Sequence, residues 1–352
     1  MPLISVVIPV GNVACYLSEC LDSVLGQPAV SLEVIAVDDA SADGSGALLD
    51  ERAAADPRLR VVHLAAASAG PGHARNTGLG MAAGEYVWFV DGDDRIEEGA
   101  LAAIEARLTT PDDWPDVLLI DWVSRYPDGR IEPNPGRALL AGVPAGGCTL
   151  AQQPRLVDLT MTSWSKVLRR DFLGKLGVSF AAGIHEDVLV TCAALLAAES
   201  IAAVDRVCYG YRRDRRGSFM ATVSTAHLAI LSSYERVLEL VAARRAAGVE
   251  ISEAVRAALF ERAIWHYTTV FQGSMLRGGL VPRGERRRFF ARMHDDFLRY
   301  RPAGYRHPPG ARGLKFALIE RGAYRTYCLL EPLNEVRVAA AGLAARMGTR
   351  RT

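Results

Sequence analysis

The chain has 352 residues, half of them hydrophobic, and carries 41 Lys and Arg against 40 Asp and Glu. This length supports two domains or one domain with a large appendage, and the hydrophobic content excludes an intrinsically disordered chain. The sequence has no signal-peptide pattern and no uninterrupted apolar run of about 20 residues, so it predicts a cytoplasmic protein without a spanning helix. Six cysteines without a C-x-x-C pair fit buried, reduced thiols in that compartment.

Strand-like and helix-like segments alternate over the first 120 residues. Short apolar runs predict strands at residues 3–10, 32–39, 60–65, 85–90 and 116–121. Helical spacing of apolar residues predicts helices at 13–27, 41–56, 74–83 and 100–108, with Ser41 as the N-cap of the second. This alternation predicts an α/β domain with a mostly parallel sheet flanked by helices.

The character of the sequence changes in the second half of the chain. Residues 122–160 are rich in Gly and Pro and predict irregular connections, and residues 156–215 have mixed character. From about residue 225 onward the apolar residues recur at helical spacing only. We therefore predict an α/β domain over residues 1–220 and a helical C-terminal region over residues 221–352.

Acidic residues collect where the predicted strands end. Asp38 and Asp39 follow the second strand, and Asp91, Asp93 and Asp94 follow the fourth. In parallel α/β sheets ligands bind outside the carboxyl ends of the strands, so these groups are expected at one edge. In an extended chain, side chains two residues apart point the same way, which predicts that Asp91 and Asp93 converge while Asp94 points elsewhere.

Converging carboxylates repel each other unless they share a cation, and oxygen ligands suit Mg²⁺ or Mn²⁺ carrying a diphosphate. The alternative is a solvated loop whose acids cap the next helix.

Several ordered motifs then resemble one family. The segments "ISVVIPVGNVACYLSECLDSVLGQ", "EVIAVDDASADGS", "GHARNTGLGMAAGEYVWFVDGDD", "WSKVLRRDFL" and "GIHEDVLVTCAAL" are similar to the family 2 nucleotide-sugar glycosyltransferases of the GT-A fold. The resemblance covers residues 3 to about 220 and extends to the transferase domains of bacterial wall-polymer, teichoic-acid-type and capsule synthesis. It implies a nucleotide-diphosphate sugar as donor, with a UDP-sugar favoured.

The resemblance assigns the donor side to specific positions. It implies that Pro9 and Asp39 hold the nucleotide base and that Arg75 lies near the nucleotide or holds the acidic cluster in place. Asp91 and Asp93 match the D-x-D motif of the family, with Asp93 as metal ligand and Asp91 as ribose or metal contact. Many relatives have Tyr at the position of Gly11, and the missing aromatic ring puts uracil stacking in question.

The resemblance also implies the acceptor side of the reaction. "HED" at residues 185–187 matches the E-D motif whose Asp is the base, which assigns Asp187 as base with Glu186 as substitute; His185 is an alternative on pKa grounds. The same acids also suit the first turn of a helix, where the dipole favours negative charge. The resemblance also implies that the reaction inverts the configuration of the transferred sugar.

Four arginines in "YGYRRDRRGSFM" supply charge for a diphosphate: Arg212, Arg213, Arg215 and Arg216. Trp164 and Lys166 suit a wall of the acceptor site, while Trp164 suits the core equally well.

The C-terminal region is basic, since residues 283–352 hold 16 Lys and Arg against 6 Asp and Glu. Arginines interleaved with Phe and Tyr predict peripheral contact with the inner face of an anionic membrane near a lipid-linked acceptor, self-association as a homo-oligomer, or an acceptor-binding subdomain. Nucleic acid is not an expected partner, because no binding motif accompanies the basic residues.

The sequence therefore predicts an inverting, metal-dependent glycosyltransferase that acts on a polysaccharide, teichoic-acid-type or lipid-linked hydroxyl. A nucleotidyltransferase is disfavoured, because "PVGNVACY" lacks a Gly-rich phosphate loop. A catalytically silent nucleotide-binding or scaffold protein is the alternative of another class.

Overall fold

The computed structural model describes residues 3–28, 31–68, 70–110, 114–215, 222–273 and 279–330. Strand and helix alternate in the predicted order, as β1 (Ile4–Val10), α1 (Ala14–Leu25), β2 (Leu32–Asp38), α2 (Ser45–Ala55), β3 (Leu59–His63), α3 (Gly72–Met81), β4 (Tyr86–Phe89), β5 (Arg95–Ile96) and α4 (Ala100–Leu108). The next elements are β6 (Val117–Arg125), β7 (Ile131–Pro133), α5 (Arg137–Ala141), β8 (Lys166–Arg169), α6 (Arg170–Lys175), α7 (Asp187–Ala197) and β9 (Ile201–Arg212). Four further helices follow, α8 (Ala229–Ala246), α9 (Glu253–Gln272), α10 (Arg286–Tyr300) and α11 (Gly310–Glu320).

The described strands form one mixed sheet in the order β3-β2-β1-β4-β8-β6-β9-β5, with β7 paired to β6. Strands β3, β2, β1 and β4 are parallel, as the sequence predicts, while β8 is antiparallel to both β4 and β6. The α/β class is confirmed. Strand β8 lies between β4 and β6, so it joins the four parallel strands to the rest of the sheet.

The two faces of β1 enter different apolar clusters. Ile4, Val6 and Ile8 pack with α1 and α4, whereas Val7 faces the cluster on the opposite side of the sheet. Helix α3 approaches that second face closely, since a Cβ on Gly78 would lie 2.4 Å from Cγ1 of Val7. Burial of both faces explains why β1 is a continuous apolar run without alternation.

The helical C-terminal region is confirmed for the described residues, and it packs on the sheet. Buried side chains of α8 to α11 belong to the same apolar cluster as Val7, Phe89 and α7. The division at residue 220 stays a prediction, and residues 331–352 of the predicted basic region lie outside the described ranges. Within those ranges, no helix combines the length and apolarity that a bilayer-spanning segment needs.

The aromatic residues of α10 are core residues. Phe289, Phe290 and Phe297 are buried in the helical cluster, so they do not form an apolar surface beside the arginines. Arg292 and Arg299 both pair with Glu235 on α8. Part of the basic charge of this region is therefore neutralised within the fold.

Two local predictions are wrong. Ser41 does not cap α2, which begins at Ser45 after Gly44; the Ser41 hydroxyl instead accepts the backbone N–H of Asn12 at 3.0 Å. The hydroxyl of Ser45 accepts the N–H of Val13 at 3.1 Å, so the start of α2 is tied to the start of α1. The cysteines are unpaired, but Cys15 is exposed and not buried.

Candidate active site

The ends of β2, β1 and β4 meet at one edge of the sheet. The backbone N–H of Asp39 donates to the carbonyl of Val10 at 2.8 Å, which fixes the chain after β2 beside the end of β1. On the other side, the turn after β4 lies against β1, since a Cβ on Gly92 would lie 3.1 Å from the carbonyl oxygen of Pro9. The predicted convergence of acidic segments at one edge is therefore present.

Asp91, Asp93 and Asp94 form one acidic cluster, with a carboxylate oxygen of each within 4.8 Å of the others. The prediction that Asp94 points elsewhere is wrong, because the chain turns here and does not stay extended: the N–H of Asp94 donates to the carbonyl of Asp91 at 3.0 Å. Asp94 is buried and accepts the Tyr209 hydroxyl at 2.7 Å and the Arg212 N–H at 2.6 Å. Burial, together with Asp93 and Asp91, raises the pKa of Asp94.

The other two acids keep part of their surface open. The side chains of Asp91 and Asp93 are 24% and 19% exposed. Burial raises the pKa of Asp93, and the guanidinium of Arg215 opposes that rise through an ion pair. Three carboxylates at this spacing, two of them partly exposed, fit a hard divalent cation such as Mg²⁺ or Mn²⁺, which prefers oxygen ligands. Asp94 instead holds the cluster against β9, because both of its oxygens accept hydrogen bonds from that strand.

Arg75 joins the acidic cluster to the predicted catalytic motif. Its side chain is 3% exposed, and it donates from Nη2 to Oδ1 of Asp91 at 2.6 Å and from Nη1 to Oε1 of Glu186. Burial alone would lower the pKa of Arg75, but Asp91 and Glu186 raise it above its ordinary value. One guanidinium thus holds Asp91 together with Glu186, a residue that lies 111 positions beyond Arg75 in sequence. Of the two roles predicted for Arg75, holding the acidic cluster is the one that these contacts support.

Two glycines allow this approach. A Cβ on Gly72, at the start of α3, would lie 2.0 Å from the carbonyl oxygen of Ala181, and one on Gly70 would lie 2.1 Å from that of Gly183. Gly70 also has φ +89°, which side chains other than glycine rarely adopt. The loop before α3 and the loop before α7 therefore pack backbone against backbone.

We expect Gly72→Ala to destabilise the protein by about 1–3 kcal/mol, because the added methyl must displace the main chain at Ala181. The matched control is Gly80→Ala in the same helix, where a Cβ meets nothing within 4 Å. Thermal unfolding of both variants measures the difference. Equal melting temperatures for the two variants would show that the close approach is not required.

Asp187 is the first residue of α7 and lies behind Glu186 in the site. Its Oδ2 accepts the backbone N–H of Ser163 at 3.2 Å. Burial, reinforced by the charge of Glu186, raises the pKa of Asp187 to about 7, against the opposing effect of Arg75. A carboxylate that titrates near neutrality suits proton abstraction, whereas Glu186 is already held by Arg75.

His185 is buried away from the acidic cluster, in contact with the C-terminal helices. Its Nε2 lies 3.2 Å from Nδ1 of His227, and its ring stands edge-on to His266 on α9. Burial, with a contribution from His227, lowers the pKa of His185 to about 3. This neutral, enclosed imidazole is poorly suited to the role of base that the sequence left open.

The predicted base-binding residues lie at the end of β1 and just after β2. Pro9 is a buried residue of β1, and Gly11 is exposed, with no atom within 4 Å of the place that a Cβ would take. Asp39 accepts the N–H and the hydroxyl of Ser68, each at 2.8 Å. Ser68 is absent from the predicted site residues, and it orients the carboxylate proposed to read the base.

The arginines at the end of β9 and just after it lie in two places. Arg212 donates from Nε to the carbonyl of Asp93 at 2.8 Å and from Nη2 to Glu19 at 2.6 Å, so it lies at the acidic cluster. Arg213 instead donates to the Ser124 hydroxyl at 3.1 Å and lies over the ring of Tyr211. Arg216, the fourth predicted cation, lies outside the described residues.

The interpretation of Trp164 and Lys166 as a wall of the acceptor site is wrong. Trp164 is buried and stacks on Tyr209, with ring centroids 4.5 Å apart and 7° between the planes. Lys166 is completely buried. The strand alternation in "CYGYR" was the available signal, because it places Tyr209 and Tyr211 on the same face of β9, where both rings stack on Trp164.

Comparison with known proteins agrees with this architecture. Residues 5–170 match glycosyl transferase family 2. The uncharacterized glycosyltransferase EpsJ of Bacillus subtilis is 30% identical over 222 residues, which cover 61% of this chain and 62% of EpsJ. The poly(ribitol-phosphate) beta-N-acetylglucosaminyltransferase TarS of Staphylococcus aureus is 32% identical over 242 residues, which cover 68% of this chain and 39% of TarS. The crystal structure of S. aureus TarS 1–349 in complex with UDP-GlcNAc gives a TM-score of 0.71 at 25% identity, covering 94% of this chain and 91% of that one.

The mixed sheet, the helices on both of its faces and the acidic cluster at its carboxyl edge define a protein of the GT-A class. The match over residues 5–170 and the relatives above identify the family of that region. Residues 5–170 form a glycosyl transferase family 2 domain. The chain spans 62% of the length of EpsJ and 39% of that of TarS, less than two thirds of either relative.

Proposed function

We propose that the protein is an inverting, metal-dependent glycosyltransferase that moves a sugar from a nucleotide-diphosphate sugar to a hydroxyl group. The observation that carries this proposal is the link made by Arg75 between Asp91 of the acidic cluster and Glu186 of the catalytic motif. A transferase needs a cation-binding donor site and a base beside one another, and this buried guanidinium fixes them in one unit. The structure of TarS with UDP-GlcNAc supports a UDP-sugar as donor.

Asp91 and Asp93 would hold the metal ion, and Pro9 and Asp39 would contact the base. A bound divalent ion supplies positive charge for the diphosphate that leaves. Arg212, fixed by Glu19 and the carbonyl of Asp93, lies where a second positive charge would face that diphosphate. Arg213 is assigned the same role by its sequence position, although its contacts lie with Tyr211 and Ser124.

Asp187 would act as the base that takes the proton of the acceptor hydroxyl. Asp187 is half-buried, and its pKa of about 7 lies near the working pH of most enzymes. Glu186 would position Arg75 and so act through another residue. TarS is a poly(ribitol-phosphate) beta-N-acetylglucosaminyltransferase, which supports a polymer of the teichoic-acid type as the acceptor. The proposal includes a hydroxyl of a cell-surface polysaccharide or of a lipid-linked acceptor. Peripheral membrane contact and self-association are further proposals for the basic C-terminal region.

A catalytically silent nucleotide-binding protein is the second candidate, and Gly11 favours it because no aromatic ring stands at that position. Calorimetry with UDP and Mn²⁺, followed by a transfer assay with UDP-sugars, separates the two. Binding together with turnover supports the enzyme, and binding without turnover on any acceptor supports the silent protein. Failure to bind UDP, GDP and CDP would contradict both.

We expect Asp93→Ala to weaken Mn²⁺-dependent UDP binding by about tenfold or more, because a ligand of the cation is removed. The matched control is Asp295→Ala on the exposed side of α10, which makes the same chemical change away from the site. Calorimetric titration with and without EDTA measures the effect. A chain with Asp93→Ala that binds UDP and Mn²⁺ as the wild type does would rule out the metal assignment.

A further inference from the structure

Lys166, the first residue of β8, is a fully buried ammonium group. Its Nζ donates to the carbonyls of Thr160 at 2.9 Å and Thr162 at 3.3 Å, and to the hydroxyl of Ser165 at 3.0 Å. All three acceptors are neutral, so the hydrogen bonds are satisfied while the charge is not cancelled at contact distance. A buried cation in this state is costly and calls for a reason.

The choice of lysine is itself informative. The chain contains 38 arginines and only 3 lysines, at positions 166, 175 and 315. An ammonium is compact, offers three donors and loses its proton readily on burial, unlike a guanidinium. The three acceptors around Lys166 match the three N–H donors of an ammonium.

The hydrogen bonds of Lys166 shape the turn that contacts Asp187. The ammonium bonds to the carbonyls of both Thr160 and Thr162, and the single O–H of Ser165 lies within hydrogen-bond distance of the same two carbonyls, at 3.2 and 2.9 Å. Within this turn lies Ser163, whose N–H donates to Oδ2 of Asp187 at 3.2 Å. Lys166 is therefore hydrogen-bonded to the turn that carries a backbone donor to the predicted base.

The charge of Lys166 also acts on Asp187. Burial lowers the pKa of Lys166 to about 8, and Asp187 is the foremost opposing charge that raises it. Cys192 on α7 and Arg262 on α9 are the other titratable groups that act on the ammonium. Because the interaction is mutual, the ammonium stabilises the ionised carboxylate, in the same sense as Arg75 and against Glu186 and Asp91.

We propose that Lys166 is a positioning residue for the base: its ammonium fixes the turn at residues 160–165 and its charge favours the ionised form of Asp187. This inference rests on the proposed function, since it takes Asp187 as the base. A side chain without exposed surface cannot contact an acceptor, which excludes Lys166 from a wall of the acceptor site. The positioning role gives the lysine of the "WSK" motif a function that needs no such contact.

An NMR titration of the full-length chain tests the coupling without any activity assay. With ¹³Cε-labelled lysine the protein gives three side-chain resonances, and Lys175→Arg and Lys315→Arg assign two of them. We expect the Lys166 resonance to titrate near pH 8 in the wild type and lower, by about half a unit or more, in Asp187→Asn. An identical Lys166 titration in both proteins would overturn the inference.

The pH profile of transfer gives the second readout. Lys166→Gln keeps N–H donors for the two carbonyls but removes the charge, so the acid limb of kcat/KM should move to higher pH by about half a unit or more. Lys175→Gln makes the same change at an exposed position and should leave the profile unchanged. An unmoved limb in a folded Lys166→Gln protein overturns the inference, and the NMR titration decides if that variant does not fold. Wild-type turnover in Asp187→Asn would instead overturn the proposed function.

Discussion

Asp187→Asn should lower the turnover number for sugar transfer by about 10²–10⁴-fold, the usual contribution of a general base. The amide oxygen of Asn can still accept the N–H of Ser163, which Asp187 receives at 3.2 Å, but it cannot take up a proton. Donor binding should stay within about twofold of the wild type, because no contact of the acidic cluster is removed. Steady-state kinetics and calorimetry with the same donor measure the two quantities.

The stability of this variant separates lost chemistry from lost structure. The pKa of Asp187 is raised to about 7, so between about pH 4 and pH 7 the folded chain holds a proton that the unfolded chain has released. Stability from this group therefore falls as pH rises through that window, and the neutral Asn avoids the loss. Asp187→Asn should melt at a higher temperature than the wild type at pH 8, with a smaller gain at pH 5. A lower melting temperature at pH 8 would mean that the inactivity reflects misfolding.

The same titration governs the wild-type pH profile. Since the base must be ionised, kcat/KM should rise with pH up to about 7 and then level off on that limb. Wild-type turnover in Asp187→Asn, or a rate that is flat between pH 5 and pH 8, would contradict the assignment of the base.

The donor side of the site could be predicted from sequence because it depends on local rules. Parallel strands present their carboxyl ends at one edge, so the positions of Asp39 and Asp91 follow from their places after β2 and β4. The contacts across the edge confirm this, as Asp39 donates its N–H to Val10 at the end of β1. The exception is Asp94, where a turn replaced the extended chain and the two-residue alternation no longer applied.

The link between the donor and acceptor sides could not be predicted in the same way. Arg75 and Glu186 meet across 111 residues, and their contact depends on main-chain approach at Gly70 and Gly72. The glycine pair in "AGPGH" marks a close approach but not its partner. The burial of Lys166 was equally hidden, because a lysine in a mixed segment gives no periodic signal and the antiparallel placement of β8 arises only from tertiary packing.

Arg75→Met should destabilise the protein by about 3–5 kcal/mol, the cost of breaking a buried ion pair by removing one partner. Asp91 and Glu186 would then face each other without a cation, in a site where Arg75 is 3% exposed. Arg130→Met is the matched control, because Arg130 pairs with Glu132 at the surface and such pairs contribute about 1 kcal/mol or less. Chemical denaturation of both variants measures the free energies of unfolding.

The pH dependence of the loss identifies its cause. Arg75 opposes the rise in the pKa of Asp187, so its loss raises that pKa further; the stability of Arg75→Met should therefore fall as pH rises, with a larger deficit at pH 8 than at pH 5. Adding Glu186→Gln removes one of the facing charges and should restore part of the stability, which a double-mutant cycle quantifies. A deficit that is independent of pH and additive with Glu186→Gln would mean that Arg75 acts through packing alone, for instance against the ring of Phe180, and that charge does not join the two halves of the site.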